Sequence, residues 1–210
     1  MNNYKKTLLF TLLMTVFLSH QAYAIGEAIS EIASDAGDIA KDIGQSVGIG
    51  KTATEIDQDS DIALNKLLKS SSAAVNLSKS AKAVLIFPKI IKAGLGIGGH
   101  HGEGVLRQNG KSTAYYNTIA GSYGLQIGAQ AFGYAMFFMD DEGLNHLVNH
   151  NKGWEVGVGP SIVFVDEGIA KTLSNTTATE SVYVFTFNQK GLMAGAGIQG
   201  SKISKINPDK

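Results

Sequence analysis

Five histidines, a scatter of lysines and a run of alternating glycines are the residues here whose types and spacing could do chemistry. His146 and His150 stand four apart, which puts two imidazoles on one helix face where a metal could take both, but Leu147 fills the place of the glutamate in a zinc-protease signature. His101 and Glu103 share a strand face by period two while His100 points the other way, so a metal built from these is set against solvated or hydrogen-bonded imidazoles, and the latter is preferred. Gly94-Leu95-Gly96-Ile97-Gly98-Gly99 has the letters of a dinucleotide fingerprint. That motif needs a helix N-terminus just after it, whereas His100 to Val105 reads on as strand. Gly50-Lys51-Thr52 looks like the end of a phosphate loop, yet Gln45 stands where the first glycine belongs and no strand precedes it. Asp140-Asp141-Glu142 reads as acids complementing a helix dipole, and no serine sits in a G-x-S-x-G elbow. The expectation is a chain that is not an enzyme and has no cofactor or metal.

Composition narrows the rest. The 210 residues carry 18 Lys plus Arg against 18 Asp plus Glu and no cysteine. Zero formal charge removes the basic footprint of a nucleic-acid binder, and the missing cysteine removes disulfides, thiolate sites and a lipidated N-terminal Cys. Lys79, Lys82, Lys89 and Lys92 crowd the passage around Pro88, and Arg107 and Lys111 flank Asn109-Gly110. Either the sheet gathers them into an anion-binding rim, or they are a solvated scatter.

The elements that must position these residues begin after a leader. Lys5 and Lys6, an apolar run from Leu8 to Leu18 and Ala22-Tyr23-Ala24 read as a signal peptide, residues 1–24, cleaved after Ala24. The run is too short to span a bilayer, and the product is expected to be periplasmic or secreted. Residues 25–55 form a leader and linker, in which Ile25 to Val47 place apolar residues at steps of three and four opposite an acidic face. Four glycines make that helix marginal unless it docks on the domain itself, on a second copy or on an envelope partner.

A second helix is expected over about Asp57–Leu68, capped by Asp59 or Ser60, and a third over Ala73–Lys82. From Ala83 period two takes over. Val84-Leu85-Ile86-Phe87 reads as a strand stopped by Pro88, Asn109-Gly110 as a hairpin turn, and further strands fall at about Tyr123–Gln130, Tyr134–Met139, Trp154–Val165, Ser181–Asn188 and Leu192–Gln199, with a helix near Asp141–Asn149. All but five of the 25 glycines lie between Gly94 and Gly200, many at even spacing. Such spacing leaves one sheet face bare, letting another backbone approach or the sheet curl. The fold class is therefore α+β: N-terminal helices packed on a glycine-rich, curved or barrel-like antiparallel sheet.

The stretch Ala81-Lys82-Ala83-Val84-Leu85-Ile86-Phe87-Pro88-Lys89-Ile90-Ile91-Lys92-Ala93-Gly94-Leu95-Gly96-Ile97-Gly98-Gly99 resembles the SYLF-domain signature, approximately A-K-G-V-L-I-F-P-x-x-x-K-A-G-F-x-x-G-G. Similar blocks follow in order: Gly102-x-Gly104-Val105-Leu106, Tyr115-Tyr116, Gly124 to Gln130, Trp154-Glu155-Val156-Gly157, Tyr183-Val184-Phe185, Gly191 to Gly195, and Gly200-x-Lys202-Ile203. The domain is placed at 56–206, with 207–210 as a tail. The resemblance implies a non-enzymatic module that binds anionic phospholipid peripherally, with Lys82 and Lys92 matching the family's lysines. Lys79, Lys89, Arg107 and Lys111 join them as headgroup contacts, and Phe132, Tyr134, Phe137 and Phe138 are the expected apolar membrane contacts. Relatives in eukaryotes bind phosphoinositides and some bind actin, so actin enters as a partner by family analogy alone. The chain departs from those relatives in carrying Asp57, Asp59 and Asp61 where they have a lysine-rich helix. The competing readings are an envelope interaction or scaffold module acting through Ile25–Val47, and a secreted factor acting on host actin or phosphoinositides.

Overall fold

The computed structural model describes residues 50–150, 152–174, 177–191 and 200–209. The leader, the helix read over Ile25–Val47 and the strand read over Leu192–Gln199 lie outside the described residues. Helix α1, Ala53–Ser70, starts earlier than its apolar pattern suggested. Its cap is Thr52 rather than Asp59 or Ser60: the Thr52 hydroxyl accepts from the Glu55 N–H while the Glu55 carboxylate accepts from the Thr52 N–H at 2.8 Å. Those bonds to Thr52 hold the Glu55 carboxyl below its ordinary range. Ser71 both ends α1 and caps α2, Ser72–Ser80, its side chain accepting from the Ala74 N–H. No helix among the described residues is long and apolar enough to cross a membrane.

Two very long strands follow, β1 (Ala83–Gln108) and β2 (Lys111–Phe138), paired antiparallel along their length. Asn109 and Gly110, at φ 51° and 75°, make the turn, as the sequence predicts. Pro88 does not stop the strand. A β-bulge sets Pro88 and Lys89 opposite Gly133 alone, so the missing N–H falls where the ladder is already broken. Beyond β2 come α3 (Asp141–Val148), β3 (Trp154–Glu155), β4 (Ile162–Val165), α4 (Glu167–Thr172), β5 (Val182–Gly191) and β6 (Lys202–Ile206). The strand expected over Trp154–Val165 is thus two, separated by a turn with Gly157 and Gly159 at positive φ.

Strand β2 is the spine. One of its edges carries β1; the other carries β6 at Tyr115–Ile119 and β5 at Gln130–Phe138. Strand β3 pairs with β6, and β4 runs parallel to β5, the short α4 lying in the crossover between them. The sheet is therefore mixed rather than wholly antiparallel, and it curls into a half-barrel. Its inner face buries Leu85, Phe87, Ile90, Tyr116, Phe132, Tyr134, Met136, Phe138 and Trp154; its outer face packs Ala135, Phe137, Tyr183 and Phe185 against Leu67, Ala74 and Leu77 of the helices and Leu173.

The curl comes from glycine. A Cβ on Gly104 would overlap the Ile86 carbonyl oxygen and lie 2.7 Å from the Phe87 ring, and one on Gly102 would meet Ile90 Cγ1 at 2.5 Å and the Lys89 oxygen at 2.9 Å. The far end of β1 thus lies directly on its own beginning, as the even glycine spacing allows. The described domain is closed by a bond from the Ala53 N–H to the Asp209 oxygen, 2.9 Å. Because backbone rather than a movable side chain blocks the site, Gly104→Ala is expected to cost about 3 kcal/mol, the upper end for overpacking. Gly121→Ala, which meets nothing within 4 Å, is expected to stay within about 0.5 kcal/mol. Urea unfolding followed by the emission of Trp154, the one tryptophan and 1% exposed, measures both.

Candidate functional site

The charged residues singled out by sequence take different places. Arg107 is tied into the fold. Its side chain is 15% exposed, paired with Asp61 through Nη1 and donating from Nη2 to the Asp57 carbonyl at 3.1 Å. Asp57 also accepts from Ser112 Oγ at 2.7 Å and from the Tyr115 hydroxyl at 3.0 Å. Burial, reinforced by the Asp57 carboxylate, holds the Tyr115 hydroxyl above its ordinary range, so it stays a donor. Asp59 takes Lys51 Nζ at 2.5 Å, and the Lys51 N–H donates to Glu103 at 3.1 Å. The three aspartates that set α1 apart from a lysine-rich helix therefore clasp it to the hairpin tip and to its own leading residues.

Lys82 pairs with Asp141 at 2.6 Å in the open, both side chains well exposed. Lys79 and Lys111 are exposed, while Lys89 is half-buried beside the Pro88 bulge. Lys92 points inward: its cross-strand partner is Gln130, 2% exposed, and it shares the inner face with the buried pair Ile90 and Phe132. Phe132, Tyr134, Phe137 and Phe138, expected at a membrane, are all 0–1% exposed. They are core residues, because both faces of β2 are covered in this stretch and alternation therefore puts no side chain in solvent.

Sequence reading missed a surface cleft of about 470 Å³ lined by His146, His150, Lys152, Trp154, Val158 and Lys202 among others. Helix α3 carries His146, with His150 two residues past its end, and its N-terminus is fixed by Asp140, whose carboxylate accepts from the Gly143 N–H at 2.8 Å and from Ser181 Oγ at 2.7 Å. The imidazoles lie one over the other, centroids 4.4 Å apart and 34° inclined, with His146 edge-on to Trp154. Burial, with His150 beside it, pulls the His146 pKa down against the opposing pull of Glu142. Stacked rings do not converge on one metal, and no group of three metal-ligating side chains occurs among the described residues. Lys202 on β6 pairs with Glu155 on one side and with Ile119 on the other. Ile119, Val148 and Val158 are 43–57% exposed, so ammonium groups and apolar surface adjoin here. Only the His146/His150 spacing pointed to this place in the sequence; the return of β6 onto β2 gave no local signal.

His100 is 8% exposed inside the half-barrel. Burial, with the Lys92 and His101 charges adding to it, pushes its pKa down to about 4. The unfolded chain, titrating near an ordinary ~6.5, takes the proton first as pH falls, so stability present above that value is lost between about pH 6.5 and 4, by up to about 3 kcal/mol. Urea titrations across this range should show the slope in the wild type and a flatter one in His100→Gln. In the same assay at neutral pH, Arg107→Ala is expected to cost about 2 kcal/mol, since it strands Asp57 and Asp61, and Lys82→Ala, an exposed pair, at most about 0.5.

No curated protein matches the chain. A family comparison, in contrast, matches over the second half of the sheet, from the end of the β2–β6 pairing to the last strand. Residues 119–208 match the family described as Ysc84, Las17-binding protein actin regulator, and over this segment the chain is similar to the SYLF-type family that its glycine and lysine blocks resemble.

Proposed function

We propose that this is an exported, non-enzymatic lipid-binding protein that recognises anionic phospholipid headgroups peripherally. The observation that carries the reading is the cleft between α3, β3 and β6. Lys152 and Lys202 stand there beside exposed Val158 and Ile119, ammonium groups next to apolar surface, as a phospholipid interface requires. The lipid binding that the resemblance to the SYLF family implies, together with the match of residues 119–208 to that type of family, supports it. Of the lysines first expected at headgroups, Lys79 and Lys111 remain at the surface to add to the field while Lys82 is paired with Asp141, and the aliphatic side chains of the cleft take the place of the aromatic contacts first expected. The signal-type leader supports export to the periplasm or beyond. A second reading, a factor acting on a host's actin, takes its support from the matched family description alone, and cosedimentation with filamentous actin tests it.

Flotation with vesicles separates the outcomes. The protein should float with phosphatidylglycerol- or cardiolipin-rich vesicles and not with phosphatidylcholine, and high salt should release it. The double variant Lys152→Ala, Lys202→Ala should bind roughly thirtyfold more weakly, at about 1 kcal/mol per lysine. Equal flotation with neutral and anionic vesicles, or none with either, would overturn the headgroup reading.

A further inference from the structure

Besides Tyr134 Oη in the aromatic core, three buried polar atoms on the inner face have no hydrogen-bond partner: His100 Nε2, Thr118 Oγ1 and Gln130 Oε1. Their side chains are 8%, 0% and 2% exposed. An orphaned buried polar group is costly, and three brought together around one lysine call for an occupant. The register brings them together. Gln130 is directly opposite Lys92, and His100 feels the Lys92 charge. Thr118, opposite Gly102, is the same-face diagonal neighbour of His100, which stands opposite Ala120. The self-contact of β1, with Gly102 on Ile90, closes the arrangement by laying the segment of His100 over that of Lys92.

The other inward positions beside His100 and Thr118 whose side chains are described are Gly98, Gly102 and Ala120. The four polar side chains thus project among residues that fill almost no space. Ile90 floors the recess toward the apolar core, and half-buried Lys92 opens it to solvent. The charge is of one sign: Lys92 is inside, Glu103 is turned to Lys51, and the acids of α1 are held by Arg107 and Lys51. Lysine, threonine, the neutral imidazole tautomer and the glutamine amide can each donate a hydrogen bond.

We infer that the inner recess formed by Lys92, His100, Thr118 and Gln130 is a binding site for a phosphate-ester group, carried by a phospholipid headgroup or by a free small phosphate. It is separate from the cleft at Lys152 and Lys202 and stands whether or not that cleft engages a membrane.

The probes are glycerol phosphate and inorganic phosphate, titrated at low salt and neutral pH into the full chain while the His100 ring resonances are followed by NMR. Glycerol phosphate should shift His100 saturably and leave exposed His101 nearly unmoved. Thr118→Val deletes an orphaned hydroxyl at constant shape, so it should leave the thermal midpoint unchanged or higher and weaken binding about tenfold. Lys92→Met should weaken it at least as much, and Lys111→Ala should not. Competition between millimolar glycerol phosphate and phosphatidylglycerol vesicles would make the headgroup the source; saturable binding without competition would make it a free phosphate. Either outcome upholds the site. No saturable shift of His100, or wild-type affinity in both Thr118→Val and Lys92→Met, would overturn it and leave the orphaned atoms to water. Neither result depends on flotation, so failure of the membrane reading is distinguishable.

Discussion

Backbone lying on backbone, where Gly102 and Gly104 rest against Ile86 to Ile90, sets the shape of everything else. A strand of 26 residues cannot stay flat and bury both its ends, and a side chain of any size at this crossing would hold the two halves apart. With the halves in contact, the inner face closes around Phe87, Phe132 and Tyr134, and the outer face becomes a convex wall for α1, α2 and α4. The bulges at Pro88 and between Ala131 and Gly133 put the bend at one level of β2, so two irregularities in the ladder act as a single hinge.

Electrostatics follows from the same geometry. Curling brings the hairpin tip beneath α1, and the aspartates of that helix meet Arg107, Ser112 and Tyr115. The acids of α1 thus face inward, onto the hairpin tip and the residues leading into the helix. The cations left at the surface differ in their surroundings: Lys152 and Lys202 adjoin exposed aliphatic side chains, whereas Lys82 is neutralised by Asp141.

Much of this was legible in the sequence. Period-two patterning and Asn109-Gly110 gave the hairpin, even glycine spacing gave the curl, and Asp140 gave the start of α3. The extent of β1 and β2 was not legible, because Pro88 and the glycine clusters read as stops when bulges can absorb them. Nor could alternation tell an aromatic facing a second core from one facing a membrane; Phe137 needed the packing of α2 and β5 to decide it. The parallel β4–β5 pair was hidden because α4 is only six residues long. Of the site residues, Lys92 came from the family pattern and His100 from its type, but Thr118 and Gln130 carry no local signal. Only the register of two strands makes them neighbours of a lysine.

The bond from Ala53 to Asp209 ties the first described helix to the last described residues, and β6 returns across more than 80 residues to reach Tyr115–Ile119. Contacts so distant along the chain make folding slow, and none of them can form until the last segment is available. A nascent chain emerging N-terminus first can therefore pair β1 with β2 early, but it cannot complete the half-barrel until residues 202–209 have been made.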